Sequence, residues 1–257
     1  MVSSLSLAGM VFTLLVSFLV PIGLVVYFYR KERIYLPAVL VGALIFLVFQ
    51  LLTRIPLLNY LAGMDWFEQV TQSLLLLVIF FALSAAVFEE CGRYLGGRFL
   101  LSKHLSWKNG VAFGIGHGGF EAMALVGTTN INNLVMSIMV NTGNFDSMYA
   151  PQLGEMANQI KQQLIQTDPA LFFVAGIERL AAIAIHIALS LIVIYGIKQK
   201  KLIYLGYAIL LHTLVNVPAA LQHPLNISIW FIEAYVLIFA IAGIYFIRRI
   251  KPAMQTD

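Results

Sequence analysis

A chain of 257 residues, 60% hydrophobic and only 11% charged, with a mean hydropathy of +0.87, carries more apolar surface than a soluble core absorbs, since soluble domains hold about 25% charged residues. Its net charge of +4 belongs to membrane topology and contact with anionic headgroups, and is no argument for nucleic acid. One cysteine, Cys91, excludes an intramolecular disulfide and any Cys-based zinc or redox site, so a metal here would have His and carboxylate ligands.

A helix needs roughly 20 residues to cross a bilayer. Leu7 to Tyr29 is the first stretch of that kind; it has no positive residue ahead of it and no small-residue cleavage signature, so it is predicted to remain as a transmembrane helix. Further apolar stretches follow at Leu36 to Leu52, Ser73 to Leu95, Gly110 to Val126, Ala170 to Ile197, Leu202 to Leu221 and Ile227 to Ile247. The fold class is therefore an all-α polytopic membrane protein, a bundle of about seven transmembrane helices. Residues 1–257 read as one integral membrane domain, without repeats, low-complexity tracts or a linker to a soluble part.

The connection at about 127–169 differs from the others in being long and polar. Within it Leu153, Met156, Ile160 and Leu164 recur at helical spacing behind Pro151, a good first helical residue. This pattern predicts a helix lying on the bilayer surface, with a lid over the site as the sharper alternative. Leu134 to Val140 is too brief to span.

Basic residues orient the bundle. Arg30, Lys31, Arg33, Arg93, Arg98, Lys103, Lys108, Lys198, Lys200, Lys201, Arg248, Arg249 and Lys251 make up 13 of the 16 Lys+Arg residues, and with seven crossings all of them fall on one side. The positive-inside rule then predicts a multi-pass protein with amino terminus out and carboxyl terminus in.

Carboxylates and imidazoles are costly in hydrocarbon unless they meet partners or line a polar cavity. Glu89 and Glu90 end one apolar run, and His117, His186 and His212 sit inside three others. At a rise of ~1.5 Å per residue, His117 lies roughly 10 to 12 Å from the basic end of its helix, His212 roughly 15 Å and His186 roughly 16 Å. The glutamates match that depth if their helix runs on to about Leu101. Spacings of three and four put His117 with Glu121, His212 with Asn216, and Arg93 with both glutamates, each pairing on one helix face. An arginine so placed holds a carboxylate ionised or anchors the membrane edge.

Glu89-Glu90-Cys91-Gly92-Arg93, Phe113-Gly-Ile-Gly-His117 and His212-Thr-Leu-Val-Asn216 occur in this order along the chain. They resemble the Glu-Glu, Phe-x-x-x-His and His-x-x-x-Asn motifs of the CAAX prenyl protease and bacteriocin-processing family, and within it the bacterial YhfC-like branch of intramembrane metalloproteases. The resemblance implies a bacterial plasma-membrane endopeptidase that hydrolyses a peptide bond with a glutamate-activated water. It implies Glu89 as general base, His117 positioning the water, Glu90 supporting the network, and His212 and Asn216 as donors to the oxyanion. In the family pattern the arginine falls one position later, where this chain has Tyr94.

His117, His186 and His212 with Glu121 or Glu89 would also suit a divalent metal such as zinc, with one position open for water. The expected partners are membrane lipids and a membrane-embedded or membrane-proximal peptide, reached from the cytoplasmic half. A proton- or solute-coupled transporter would line its pathway with the same residue types, but no paired halves are visible; a peptide- or lipid-binding pseudoprotease is the other alternative. Glu178, beside Arg179, reads as a local charge network and Glu233 as structural.

Overall fold

The computed structural model describes residues 1–255. Among these residues seven helices are long and apolar enough to cross a membrane: α1 (Ser4–Glu32), α2 (Leu36–Ala62), α3 (Leu74–Leu100), α4 (Trp107–Thr142), then α7 (Pro169–Lys198), α8 (Ile203–Ala220) and α9 (Ile229–Gln255). Between α4 and α7 run α5 (Phe145–Leu153) and α6 (Glu155–Gln166). The described residues contain no strand, as an all-α bundle requires.

Three helix lengths matter for the site. α3 continues to Leu100, the extension that brings the glutamates to the depth of the histidines. α2 runs ten residues past Leu52, to Ala62, so Arg54 is inside the span and not beyond it. α4 passes through Gly127 to Thr142 and absorbs the short apolar piece 134–140. Gly127 does not stop the helix; it lets Phe18 approach, for a Cβ there would stand 2.5 Å from the Phe18 ring. The helix ends instead at Gly143, whose φ of 77° closes a left-handed C-cap.

By its internal contacts the chain divides into two compact units. The first comprises Met1–Val20 and Glu121–Leu180. Its core gathers Val2, Met10, Val140, Phe145, Ala157 and Leu164. Asn141 pins the amino-terminal strand of chain, accepting from Val2 N at 2.7 Å and donating to Val2 O at 3.0 Å. Pro151 lies inside α5 and does not open the surface helix predicted from it. Gly154, with φ 54°, breaks the chain there, and α6 turns Ala157 and Leu164 inward while Met156 stays exposed.

The second unit comprises Pro21–Phe120 and Ala181–Asp257. Its centre is α4, where glycines alternate with larger residues over Phe113–Gly119. A Cβ at position 116 would lie 1.9 Å from the Val39 carbonyl oxygen of α2; one at 114 would lie 2.5 Å from Ile187 Cα of α7. α2 and α7 therefore close on α4 at backbone distance from two sides, the small-residue mode of packing in membranes. His117 is held between them.

Candidate active site

The pair Glu89–Glu90 is carried by the α-helical segment Ser84–Leu95 of α3, which wider π-type turns bracket at Val78–Leu83 and Gly96–Leu100. Such π segments recur at functional sites because they re-aim side chains without breaking the helix. Adjacent residues point about 100° apart on a helix, so the two carboxylates take different partners. Glu89 Oε2 meets His117 Nε2 at 2.9 Å. Glu90 Oε1 meets His212 Nδ1 of α8 at 2.7 Å.

Arg93 joins the two halves. Its guanidinium donates to Glu90 Oε1, stands 3.6 Å from Glu89 Oε2, and reaches His186 Nδ1 of α7 at 2.6 Å. A guanidinium only donates, so His186 Nδ1 is the acceptor. Arg93 is 0% exposed; it is a carboxylate clamp and no membrane-edge anchor. The ring centroids of His117 and His186 are 5.3 Å apart, those of His186 and His212 5.6 Å. Phe46 of α2 sets its ring edge-on to His117 at 5.3 Å, closing that side with an apolar wall.

Glu89, Glu90, His117, His186 and His212 are all buried. Glu90 Oε2 has no hydrogen-bond partner among the described residues, so the network keeps an acceptor in reserve. Ligand atoms of Glu89, His117 and His186 lie within 4.8 Å of one another. Neighbouring tetrahedral ligands at ~2.0 Å bonds are separated by about 3.3 Å, close to the Glu89–His117 spacing. Two imidazoles and a carboxylate are the donor chemistry of catalytic zinc, and the residues fit a divalent ion. His212 stands apart from this set, committed to Glu90.

The remaining sequence-predicted residues are placed as follows. Glu121 ends the α-helical part of α4, one turn after His117; within the first unit its Oε1 accepts from Arg179 at 3.3 Å, and Arg179 also holds Glu178 at 2.5 Å. Asn216, one turn beyond His212, lines a cavity of about 700 Å³ with Thr71, Phe81, Ala219 and His223. This cavity lies between the start of α3 and the end of α8, the ends opposite the basic connections. α8 has 18 residues, so Asn216 belongs to its last turns. Glu233 is half-buried in α9.

Sequence reading missed Arg54. This buried side chain donates from Nε to Ser84 Oγ at 2.9 Å and from Nη2 to the Phe81 carbonyl at 2.9 Å, satisfying backbone acceptors at the π segment that precedes the glutamates. Gln50, one turn earlier, approaches Nη1 at 3.4 Å. The Gln50/Arg54 spacing of four was the available signal, hidden by ending the second crossing at Leu52.

A family model described as YhfC intramembrane metalloprotease matches residues 16–236. The chain is 38% identical over 243 residues to the Bacillus subtilis (strain 168) protein called "Uncharacterized membrane protein YhfC", an alignment covering 93% of this chain and 94% of the relative. No solved structure matches. With most of its length aligned to that model, and the buried carboxylate–imidazole cluster lying inside the aligned part, the chain belongs to the YhfC intramembrane metalloprotease family.

Proposed function

We propose that this protein is an endopeptidase of the bacterial plasma membrane that hydrolyses a peptide bond in a membrane-embedded or membrane-proximal peptide, with Glu89 as general base. The observation that carries this reading is the hydrogen bond between Glu89 Oε2 and His117 Nε2, 2.9 Å long and buried among membrane-spanning helices. A base must be within hydrogen-bond reach of the proton it takes, and its orientation must be fixed before the substrate arrives. His117 and Arg93 fix it.

In the proposed reaction a water gives a proton to Glu89 as its oxygen bonds to the scissile carbonyl carbon. The carbonyl oxygen, gaining negative charge, takes hydrogen bonds from the Asn216 amide and from His212 in its imidazolium form, which donates Nδ1–H to Glu90 and has Nε2–H to donate to the substrate. Donors preorganised in a dry site are worth several kcal/mol, on the order of 3 for each. The carbon–nitrogen bond then breaks, and the proton held by Glu89 passes to the departing amine. A divalent ion such as zinc, held by His117 and His186, would supply Lewis acidity to the carbonyl and to the attacking water. The cavity bordered by Asn216 and Phe81 is the route assigned to the substrate. Amino terminus out and carboxyl terminus in is the proposed orientation, from the 12 basic residues on one side that remain when buried Arg93 is set aside from the 13.

The test compares wild type with Glu89→Gln in cells and in detergent, by the accumulation of uncleaved membrane peptides and by thermal unfolding. Turnover falls by about 10²- to 10⁴-fold while the unfolding temperature holds. An active Glu89→Gln protein overturns the reading, and so does one that loses activity only because it unfolds.

A further inference from the structure

Away from the catalytic cluster, at the basic end of the second unit, Tyr94, Arg98, Lys200 and Lys201 surround a pocket of about 250 Å³ with Gly196 and Leu202. Three cations line it and no carboxylate does. None of the three enters an ion pair among the described residues; by contrast Lys161, Arg179 and Lys251 each hold a carboxylate. The cations come from two separate parts of the chain, the end of α3 and the turn between α7 and α8, and converge on one concavity.

The turn is built to hold them there. Lys201 N donates to Gly196 O at 2.9 Å and Lys200 N to Ile197 O at 3.1 Å, the paired bonds of a Schellman C-cap. The left-handed position of that motif ordinarily takes glycine, yet it is filled by Lys200 with φ 56°. A lysine in this conformation costs stability that glycine would not. Leu202, which lines the pocket, and Leu95, Phe99, Leu100 and Ile203, close to the cations in the chain, are exposed apolar side chains, the mixture of apolar and basic groups suited to the level where hydrocarbon gives way to headgroups.

We propose that Tyr94, Arg98, Lys200 and Lys201 form a binding site for the phosphate of an anionic membrane phospholipid. The three cations attract the phosphodiester anion and supply N–H donors to its oxygens, the tyrosine hydroxyl adds a neutral donor, and the neighbouring apolar side chains receive the first part of the acyl chains. Basic pockets between membrane helices recognise anionic headgroups in this manner. The site is separate from Glu89 and its partners, so it stands or falls independently of the peptidase reading.

The full-length protein, stripped of lipid in a neutral detergent, is titrated with short-chain phosphatidylglycerol, with phosphatidylcholine of the same chains, and with inorganic phosphate, reading thermal unfolding. Phosphatidylglycerol raises the unfolding temperature, as a ligand selective for the folded state must, and the other two do not. Each cation removed weakens the apparent affinity by about 5-fold, in Arg98→Gln and in Lys200→Gly alike. Lys200→Gly is the decisive variant, because it relieves the backbone and so raises the unfolding temperature of the lipid-free protein while losing lipid affinity. Arg33→Gly is its control: Arg33 also has a left-handed backbone, φ 52°, but does not line the pocket, and its removal leaves the affinity unchanged. Wild-type affinity in Lys200→Gly, an equal response to phosphatidylcholine, or an equal response to inorganic phosphate would each overturn the assignment, the last in favour of a free-anion site.

Discussion

Arg93→Gln removes the one guanidinium that bridges the carboxylates of Glu89 and Glu90. The wild-type side chain donates to Glu90, lies 3.6 Å from Glu89 and reaches His186 at 2.6 Å, all without exposure to solvent. Taking away one partner of a buried ion pair leaves an uncompensated charge and costs about 3–5 kcal/mol. With unfolding of a chain this size shifting by about 2–4 °C per kcal/mol, the midpoint in detergent falls by roughly 10 °C. The glutamine can still donate one hydrogen bond, which keeps the loss toward the lower figure. Adding Glu90→Gln to the same protein removes the stranded carboxylate, and the double variant recovers most of the lost stability, so the two changes are far from additive. Thermal unfolding of the four proteins of the cycle checks this without any substrate. An Arg93→Gln protein as stable as wild type, or a double variant that is worse than either single one, would refute the clamp.

Gly116→Ala sets a methyl group 1.9 Å from the Val39 carbonyl oxygen, and because the obstacle is backbone it destabilises by about 1–3 kcal/mol, read as a lower unfolding midpoint. Zinc added to the purified protein binds at His117 and His186, so His117→Ala and His186→Ala lose it while His212→Ala, paired with Glu90 and not with the donor set, retains it; elemental analysis after dialysis distinguishes them. Reporter fusions after Ser102 and Lys200 read as cytoplasmic and one near Glu155 as external, as the basic-residue count requires; a cytoplasmic Glu155 would invert the topology.

The seven spans were legible because a long apolar run has one solution in hydrocarbon, a helix with its backbone bonds closed internally. Glu89, Glu90, His117 and His212 were legible for the complementary reason, that ionisable groups in such runs need partners. Their individual pairings were not. Residue spacing shows which groups share a face of one helix but not which helix lies opposite, so the link from Arg93 to His186 required the fold. The ends of α2 and α4 were misjudged because a polar Arg54 and a glycine at 127 look like boundaries. In the structure Arg54 is satisfied by the carbonyls of α3, and Gly127 is a packing contact with Phe18.

The α8 helix carries a proline, Pro218, just past Asn216. Proline has no amide hydrogen, so the carbonyl four residues earlier, that of Leu214, loses its ordinary donor. The Tyr235 hydroxyl of α9 supplies the replacement at 3.0 Å. The cavity wall that bears Asn216 is thereby fastened to α9. Changes at Tyr235 and its neighbours therefore reset the shape of the cavity that Asn216 lines while the buried charges stay as they are, so the wall and the charged cluster are free to vary separately.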